Sequence, residues 1–275
     1  MGMPHTSGSA RPAKQGGTAG SSKLPSLRDG GFSIWRVIEM TERLYLNDSY
    51  LKEFDATVVA AEGELVLLDR SAFFPGGGGQ QADRGELGAG GDHWQVAGFE
   101  RRGDELWHRL DQTAPSVGTT VHGRVDWDFR YRMMRTHTAL HVLCGIVFHE
   151  FDVLVTGCQM YPDRARMDFA LQDLSKERIA QIEAKVAQAI AANLPVAIRT
   201  VPREEAFQIP DLIRTQINLL PPEIKEVRTV EIVGLDLQAD GGTHVRSTAE
   251  VGGVRIVKTE NKGKINKRIE IVVQD

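Results

Sequence analysis

Between Tyr45 and about Val125 the apolar positions fall in short alternating runs. Ala56-Thr-Val-Val-Ala60 and Leu65-Val-Leu-Leu68 flank a Glu-Gly turn, a pattern that predicts a β-hairpin. Trp94-Gln-Val-Ala97, Glu105-Leu-Trp-His108 and Thr119-Thr-Val-His-Gly-Arg-Val125 continue the strand-rich reading. Together they predict a small glycine-rich, β-barrel-like domain over residues 44–126, with its boundary at Asp126-Trp-Asp-Phe.

The pattern then changes period. Met133, Met134, His137, Leu140, His141, Cys144, Val147 and Phe148 recur on helical faces, predicting a helix over residues 127–150. Two strands are expected around Tyr161-Pro-Asp-Arg, and a second amphipathic helix over 173–192, with Ile179, Ile182, Val186 and Ile190 on its apolar face. Asn193-Leu-Pro195 ends that helix, because proline opposes its continuation. A strand near 196–200, a short helix at Arg203-Glu-Glu-Ala206, and strands near 226–233, 253–258 and 268–273 follow. The chain reads as α+β: the barrel-like domain, then a two-layer α/β domain over 127–275 with a largely antiparallel sheet.

Ahead of both, the Gly-, Ser-, Pro- and Lys-rich start lacks any apolar period, so residues 1–43 are expected to be a flexible tail or extension. Composition adds boundaries rather than detail. With 275 residues, 41 % hydrophobic and 25 % charged, the chain has enough material for a substantial core, and a net charge of −4 argues against a protein coated for indiscriminate nucleic-acid binding. Positive charge concentrated locally still accommodates a structured RNA. The two cysteines, Cys144 and Cys158, form no metal-spaced pair, and Cys144 reads as a buried free thiol. No hydrophobic run has transmembrane length and no secretory h-region is present, so a cytoplasmic location and no membrane partner are expected. Nothing calls for an obligate protein partner.

Two pairs of potential metal ligands stand out. His137 and His141 are four residues apart in Arg135-Thr-His-Thr-Ala-Leu-His141, and Asp240 and His244 have the same spacing across Gly241-Gly242. On a helix that spacing stacks side chains one turn apart on one face, so the first pair can share a cation. HTALH lacks the glutamate of HExxH, which removes the metalloprotease reading. Three imidazoles and one carboxylate suit zinc and leave room for water, provided that the fold closes the distance between the pairs. Core packing for the histidines, and turn bracing by Asp240, account for the same residues without a metal.

The motifs around these pairs are more specific than the spacing. Tyr45-Leu-Asn-Asp-Ser-Tyr50, Phe73-Phe-Pro-Gly-Gly-Gly-Gly-Gln80, the HTALH pair and Gly234-Leu-Asp-Leu-Gln-Ala-Asp-Gly-Gly-Thr-His244 resemble, in order, those of freestanding alanyl-tRNA editing proteins, which are related to the editing domain of alanyl-tRNA synthetase. The resemblance covers about residues 44–275. It implies a glycine-rich barrel joined to a Zn2+-containing editing domain, and hydrolysis by metal-associated water of alanine-specific tRNA carrying serine or glycine. It also carries the metal positions over to His137, His141 and His244, with Asp240 where many relatives have cysteine. Thiolate and carboxylate each bring one negative charge, so the exchange conserves ligand charge while making the site harder.

Further residues are candidates within this reading. Thr138 and Thr243, beside ligands, are placed to contact a serine hydroxyl or the ester, or simply to pack. Gln159 and Arg166 lie in a segment that resembles a family hairpin near the aminoacyl pocket. Gly78, Gly79 and Gln80 form a close-approach loop; without a following Lys-Thr pair it does not read as a nucleotide-binding loop. Lys258, Lys262, Lys264, Lys267 and Arg268 form a cationic stretch suited to a tRNA backbone, with Arg199, Arg203 and Arg214 as possible extensions. Two readings compete with editing: another metal-dependent esterase or amidohydrolase, and a non-catalytic tRNA-binding protein.

Overall fold

The computed structural model describes residues 41–215 and 224–275. Residues 1–40, where most of the expected tail falls, lie outside them. Glu42–Arg43 (β1) pairs in parallel with Arg70–Ser71 (β4), and Thr41 is buried with its hydroxyl donating to the Leu68 carbonyl at 2.8 Å.

Six strands then close a barrel. They are β2 (Glu53–Glu62), β3 (Leu65–Leu68), β5 (Gly85–Ala89), β6 (Asp92–Arg102), β7 (Glu105–Leu110) and β8 (Thr120–Val125), in the order β2-β3-β7-β6-β5-β8. Every neighbouring pair is antiparallel. Alternation along β2 and β8 turns Phe54, Ala56, Val58, Val121 and Val125 inward, where they meet Phe73, Leu87, Trp94 and Leu110. Closure leaves no barrel edge exposed. One polar pair shares this interior: Ser71 Oγ lies 2.7 Å from Nε2 of His108, whose burial pushes its pKa down to about 4. Strand β5 has no counterpart in the sequence reading, since only Leu87 of Gly-Glu-Leu-Gly-Ala turns fully inward and too few apolar positions remain to alternate.

Helix α1 (Trp127–Phe151) starts where the barrel ends. Asp126 caps it by accepting from the Phe129 amide at 3.2 Å, and Asp152 stops it in the left-handed region at φ 51°. It is buried on nearly every face, packing against β9 (Val155–Met160), β10 (Arg164–Phe169) and α2 (Lys176–Ala191). The second helix begins later than its apolar period suggests, because Ser175 caps it. After β11 (Val196–Pro202) and the one-turn α3 (Arg203–Ala206) come β12 (Glu226–Ile232), β13 (Asp236–Ala239), β14 (Gly253–Gly263) and β15 (Asn266–Gln274).

The strands that follow the barrel form two antiparallel sheets, β14-β15-β10-β9 and β11-β12-β13. Strand β13 is also missing from the sequence reading. It is short, and its Asp236 and Gln238 hydrogen-bond each other rather than contributing to the apolar core. Among the described residues, no helix is long and apolar enough to cross a membrane.

Candidate metal centre

Helix α1 brings His137 and His141 to one face, their ring centroids 5.1 Å apart. The turn that leaves β13 carries Asp240 and His244 to the same point. The His244 ring lies 4.1 Å from that of His137 and 4.8 Å from that of His141. One donor atom from each of His137, His141, Asp240 and His244 falls within 4.8 Å of all the others. Asp240 Oδ2 is 3.4 Å from His137 Nε2 and 3.7 Å from His141 Nε2, and its Oδ1 is 3.9 Å from His244 Nε2.

Two of the three rings are oriented from behind. His137 Nδ1 lies 3.0 Å from Gln80 Oε1, and His141 Nδ1 lies 2.9 Å from Asp236 Oδ2. An oxygen acceptor at Nδ1 makes that nitrogen the donor and leaves Nε2 with its lone pair toward the centre, the usual arrangement behind metal-ligating histidines. His244 is 1 % exposed, and neither of its ring nitrogens has a hydrogen-bond partner among the described residues. A buried imidazole without a partner is costly, and a cation at the centre would satisfy it. The residues therefore fit a divalent metal.

The charge balance agrees. Burial and the adjacent His137 push the His244 pKa well below the usual histidine range, which keeps the ring neutral with a lone pair to give. Burial works to raise the Asp240 pKa, but the surrounding imidazoles outweigh it and hold the carboxylate ionised. For His141, burial is overcome by its hydrogen bonds to Asp236 and Asp240, and the pKa rises to about 9, so a cation would bind at this ring by displacing a proton. Asp240 also braces its own turn, accepting from the Gly242 amide at 2.6 Å, so the turn reading and the ligand reading hold together. Gly242 must be glycine: a Cβ there would sit 2.5 Å from both Gln80 Oε1 and His137 Cε1.

Asp236 was missed as a site residue. Its side chain is fully buried; it accepts from Gln238 Nε2 at 2.7 Å, and its Oδ1 lies 3.6 Å from Arg214 Nε. Reading Asp236, Gln238 and Asp240 as alternate positions of a strand would have found it.

Several expected contacts take other roles. Thr138 is fully buried, donates to the Met134 carbonyl at 2.9 Å and accepts from the Val245 amide at 3.2 Å, so its hydroxyl ties helix to turn. Thr243 is equally buried and accepts from Gln80 Nε2 at 2.8 Å. Gln80, itself 3 % exposed, faces His137 rather than an open pocket. The loop of Gly78 and Gly79 does approach closely: the Gly79 carbonyl accepts from the Met160 amide at 3.0 Å, and a Cβ on Gly79 would lie 2.8 Å from the Cys158 carbonyl oxygen. Gln159 and Arg166 face each other across β9 and β10, with Arg166 Nη2 donating to Gln159 Oε1 at 2.7 Å.

The cationic stretch divides. Lys258, Lys262 and Lys264 are exposed on the β14–β15 hairpin, with Lys258 paired to Glu260 at 2.6 Å. Lys267 turns inward to the Gly263 and Lys264 carbonyls, and Arg268 forms a two-pronged pair with Asp168 at 2.7 and 2.8 Å. Both are buried, Lys267 against the hairpin's own turn and Arg268 against β10, and are not free cations. Arg214, 7 % exposed and stacked 3.6 Å from the Phe148 ring, likewise belongs to the interior; Arg199 is exposed, and Arg203 covers the Phe207 ring at 4.6 Å. Cys144 is a buried free thiol whose pKa burial raises, as the apolar pattern implied.

Comparison with known proteins matches this architecture in two blocks. Residues 227–270, which include Asp236, Asp240 and His244, match the threonyl and alanyl tRNA synthetase second additional domain. Residues 38–129, which include the barrel, match tRNA synthetases class II (A). The alanyl-tRNA editing protein AlaX-M of Saccharolobus solfataricus is 41 % identical over 238 residues, spanning 86 % of this chain and 100 % of that protein. Its counterpart in Methanosarcina barkeri is 39 % identical over 243 residues, with 86 % and 100 % covered. The alanine–tRNA ligase of Ignicoccus hospitalis is 37 % identical over 238 residues, which are 84 % of this chain but 26 % of the ligase. Matched along the full length of the two editing proteins, the chain belongs to the alanyl-tRNA editing protein AlaX-M family.

Proposed function

We propose that the chain is a zinc-dependent trans-editing hydrolase that deacylates mischarged alanine-specific tRNA, with seryl-tRNA as its main substrate and glycyl-tRNA as a second. The carrying observation is the closure of two distant pairs of potential ligands into one set of three buried imidazoles and a partly buried carboxylate, in a chain of this family. Residues 44–126 are read as the barrel domain and 127–275 as the editing domain. An enzyme acting on charged tRNA works where translation does, so the proposed location is the cytoplasm.

In this reading His137, His141, Asp240 and His244 hold the ion. Zinc there supplies Lewis acidity, which polarises an ester carbonyl and eases deprotonation of water. The chain's own contribution is orientation and access. Gln80 and Asp236 aim two rings, while the burial of all three histidines keeps bulk water from their inner faces. Asp240 is the most exposed of the four, its side chain 21 % accessible, so the substrate approaches from its side. Hydrolysis breaks the ester between the amino acid and the terminal ribose, releasing free amino acid and intact tRNA. The Gln159 amide nitrogen, left free by the Arg166 contact to its oxygen, is the proposed partner of the serine hydroxyl. Alanine and glycine both lack that hydroxyl and would leave the donor unpaired, so this contact favours serine over either. Lys258, Lys262 and Lys264 are the proposed contacts to the tRNA backbone.

The test is release of serine, glycine and alanine from charged alanine-specific tRNA by purified protein of measured zinc content. Zinc-dependent release of serine with alanyl-tRNA surviving is expected. Failure of folded, fully metallated protein to hydrolyse any charged tRNA would overturn the proposal.

A further inference from the structure

Gln80 reaches out of the barrel's glycine loop and is buried between two ligand-bearing segments. Its Oε1 receives the Thr243 backbone amide at 3.1 Å, which fixes which end of the side chain is the oxygen. The same oxygen faces His137 Nδ1 at 3.0 Å. Because a carbonyl oxygen only accepts, the proton must sit on Nδ1, and Nε2 is left facing Asp240. The other end, Nε2 of the amide, donates to Thr243 Oγ1 at 2.8 Å, next to His244. One side chain thus joins the helix carrying the first ligand pair to the turn carrying the second.

Its own base is held firmly. The loop is clamped by two hydrogen bonds between Gly77 and Gln80, at 3.1 and 2.9 Å. Three residues further on, Asp83 makes a fully buried pair with Arg130, which lies two helical turns before His137 on α1. Gly242 lies against the amide so closely that a Cβ there would sit 2.5 Å from Gln80 Oε1.

Resting on the reading of the site as a zinc centre, we infer that Gln80 is a positioning residue that sets the tautomer and aim of His137, so that the barrel completes the metal site. Gln80 thus does for His137 what Asp236 does for His141.

Zinc affinity, measured by competition with a fluorescent chelator on full-length protein, tests this without reference to activity. Gln80→Met keeps the volume but removes both hydrogen-bonding ends; it is expected to weaken zinc binding about 10- to 100-fold. Gln80→Glu retains an acceptor for His137 and the Thr243 amide, and is expected to stay within about threefold of wild type. Thr243→Val removes only the hydroxyl anchor and is expected to give a smaller loss; it carries the test should Gln80→Met fail to fold. Wild-type affinity in Gln80→Met, or in Thr243→Val when Gln80→Met does not fold, overturns the inference. So does an equal loss in Gln80→Met and Gln80→Glu. A wild-type protein that takes up no zinc overturns the zinc centre itself, and the two failures are therefore distinguishable.

Discussion

Asp240 holds the balance of the site at the level of single residues. It supplies the only negative charge among the four donors, so replacing it by another anionic ligand should preserve binding and removing it should not. Asp240→Cys is expected to retain one zinc per chain and Asp240→Ala to lose most of it, as measured by metal analysis of purified protein. Behind the ligands, Asp236→Asn keeps an acceptor for His141 but removes the charge facing Arg214. Zinc affinity about 10-fold weaker is expected, and an unchanged affinity would reduce Asp236 to packing. The four candidate ligands were legible as a group because i,i+4 spacing and a Gly-Gly turn are local signals. Gln80 was visible in the sequence, but its role was not: only closure of the glycine loop onto α1 decides that its amide meets a histidine rather than a substrate. The same holds for Thr138 and Thr243, whose neighbours in sequence gave no sign of the contacts their hydroxyls make with the Met134 carbonyl and Gln80.

At the level of elements, α1 and the barrel each carry a specific expectation. Asp126 caps the helix that bears both first ligands, and Asp126→Ala is expected to cost about 1 kcal/mol in thermal unfolding. Inside the barrel, His108 is neutral with a folded pKa near 4, against about 6.5 in the unfolded chain. As pH falls, the unfolded state takes up this proton first, so the stability present above pH 6.5 is lost progressively between 6.5 and 4. The loss amounts to roughly 3 kcal/mol. Urea unfolding at pH 7 and pH 4 should show it in wild type and not in His108→Gln; the same pH dependence in both would contradict it. Long periodic elements were read well from sequence, and the polar, short β13 and glycine-rich β5 were not. Each gives the apolar pattern too few positions to repeat, although tertiary pairing makes strands of both.

The whole molecule depends on stitching between the barrel and the part that follows it. Arg130 donates to the Ser49 carbonyl at 2.9 Å and the Ala72 carbonyl at 2.6 Å besides pairing with Asp83, and Arg228 spans from the Leu46 carbonyl at 2.9 Å to that of Asp240 at 2.8 Å. Tyr50 adds a third tie, donating to Glu250 at 2.6 Å and accepting from the Arg246 amide at 3.0 Å. Arg130→Leu strands a buried carboxylate and is expected to cost about 3–5 kcal/mol in urea unfolding, far beyond a surface arginine. The sequence marks where the barrel ends but not these ties, because each joins residues remote along the chain. Together they close the distance between the two candidate ligand pairs, around the point proposed for one ion. Anomalous diffraction at the zinc edge, from crystals of zinc-loaded protein, measures it directly. A single peak bounded by His137, His141 and His244, with an Asp240 oxygen at about 2.0–2.2 Å, is the expected result. A fully occupied peak elsewhere, or none among these four side chains, would contradict it.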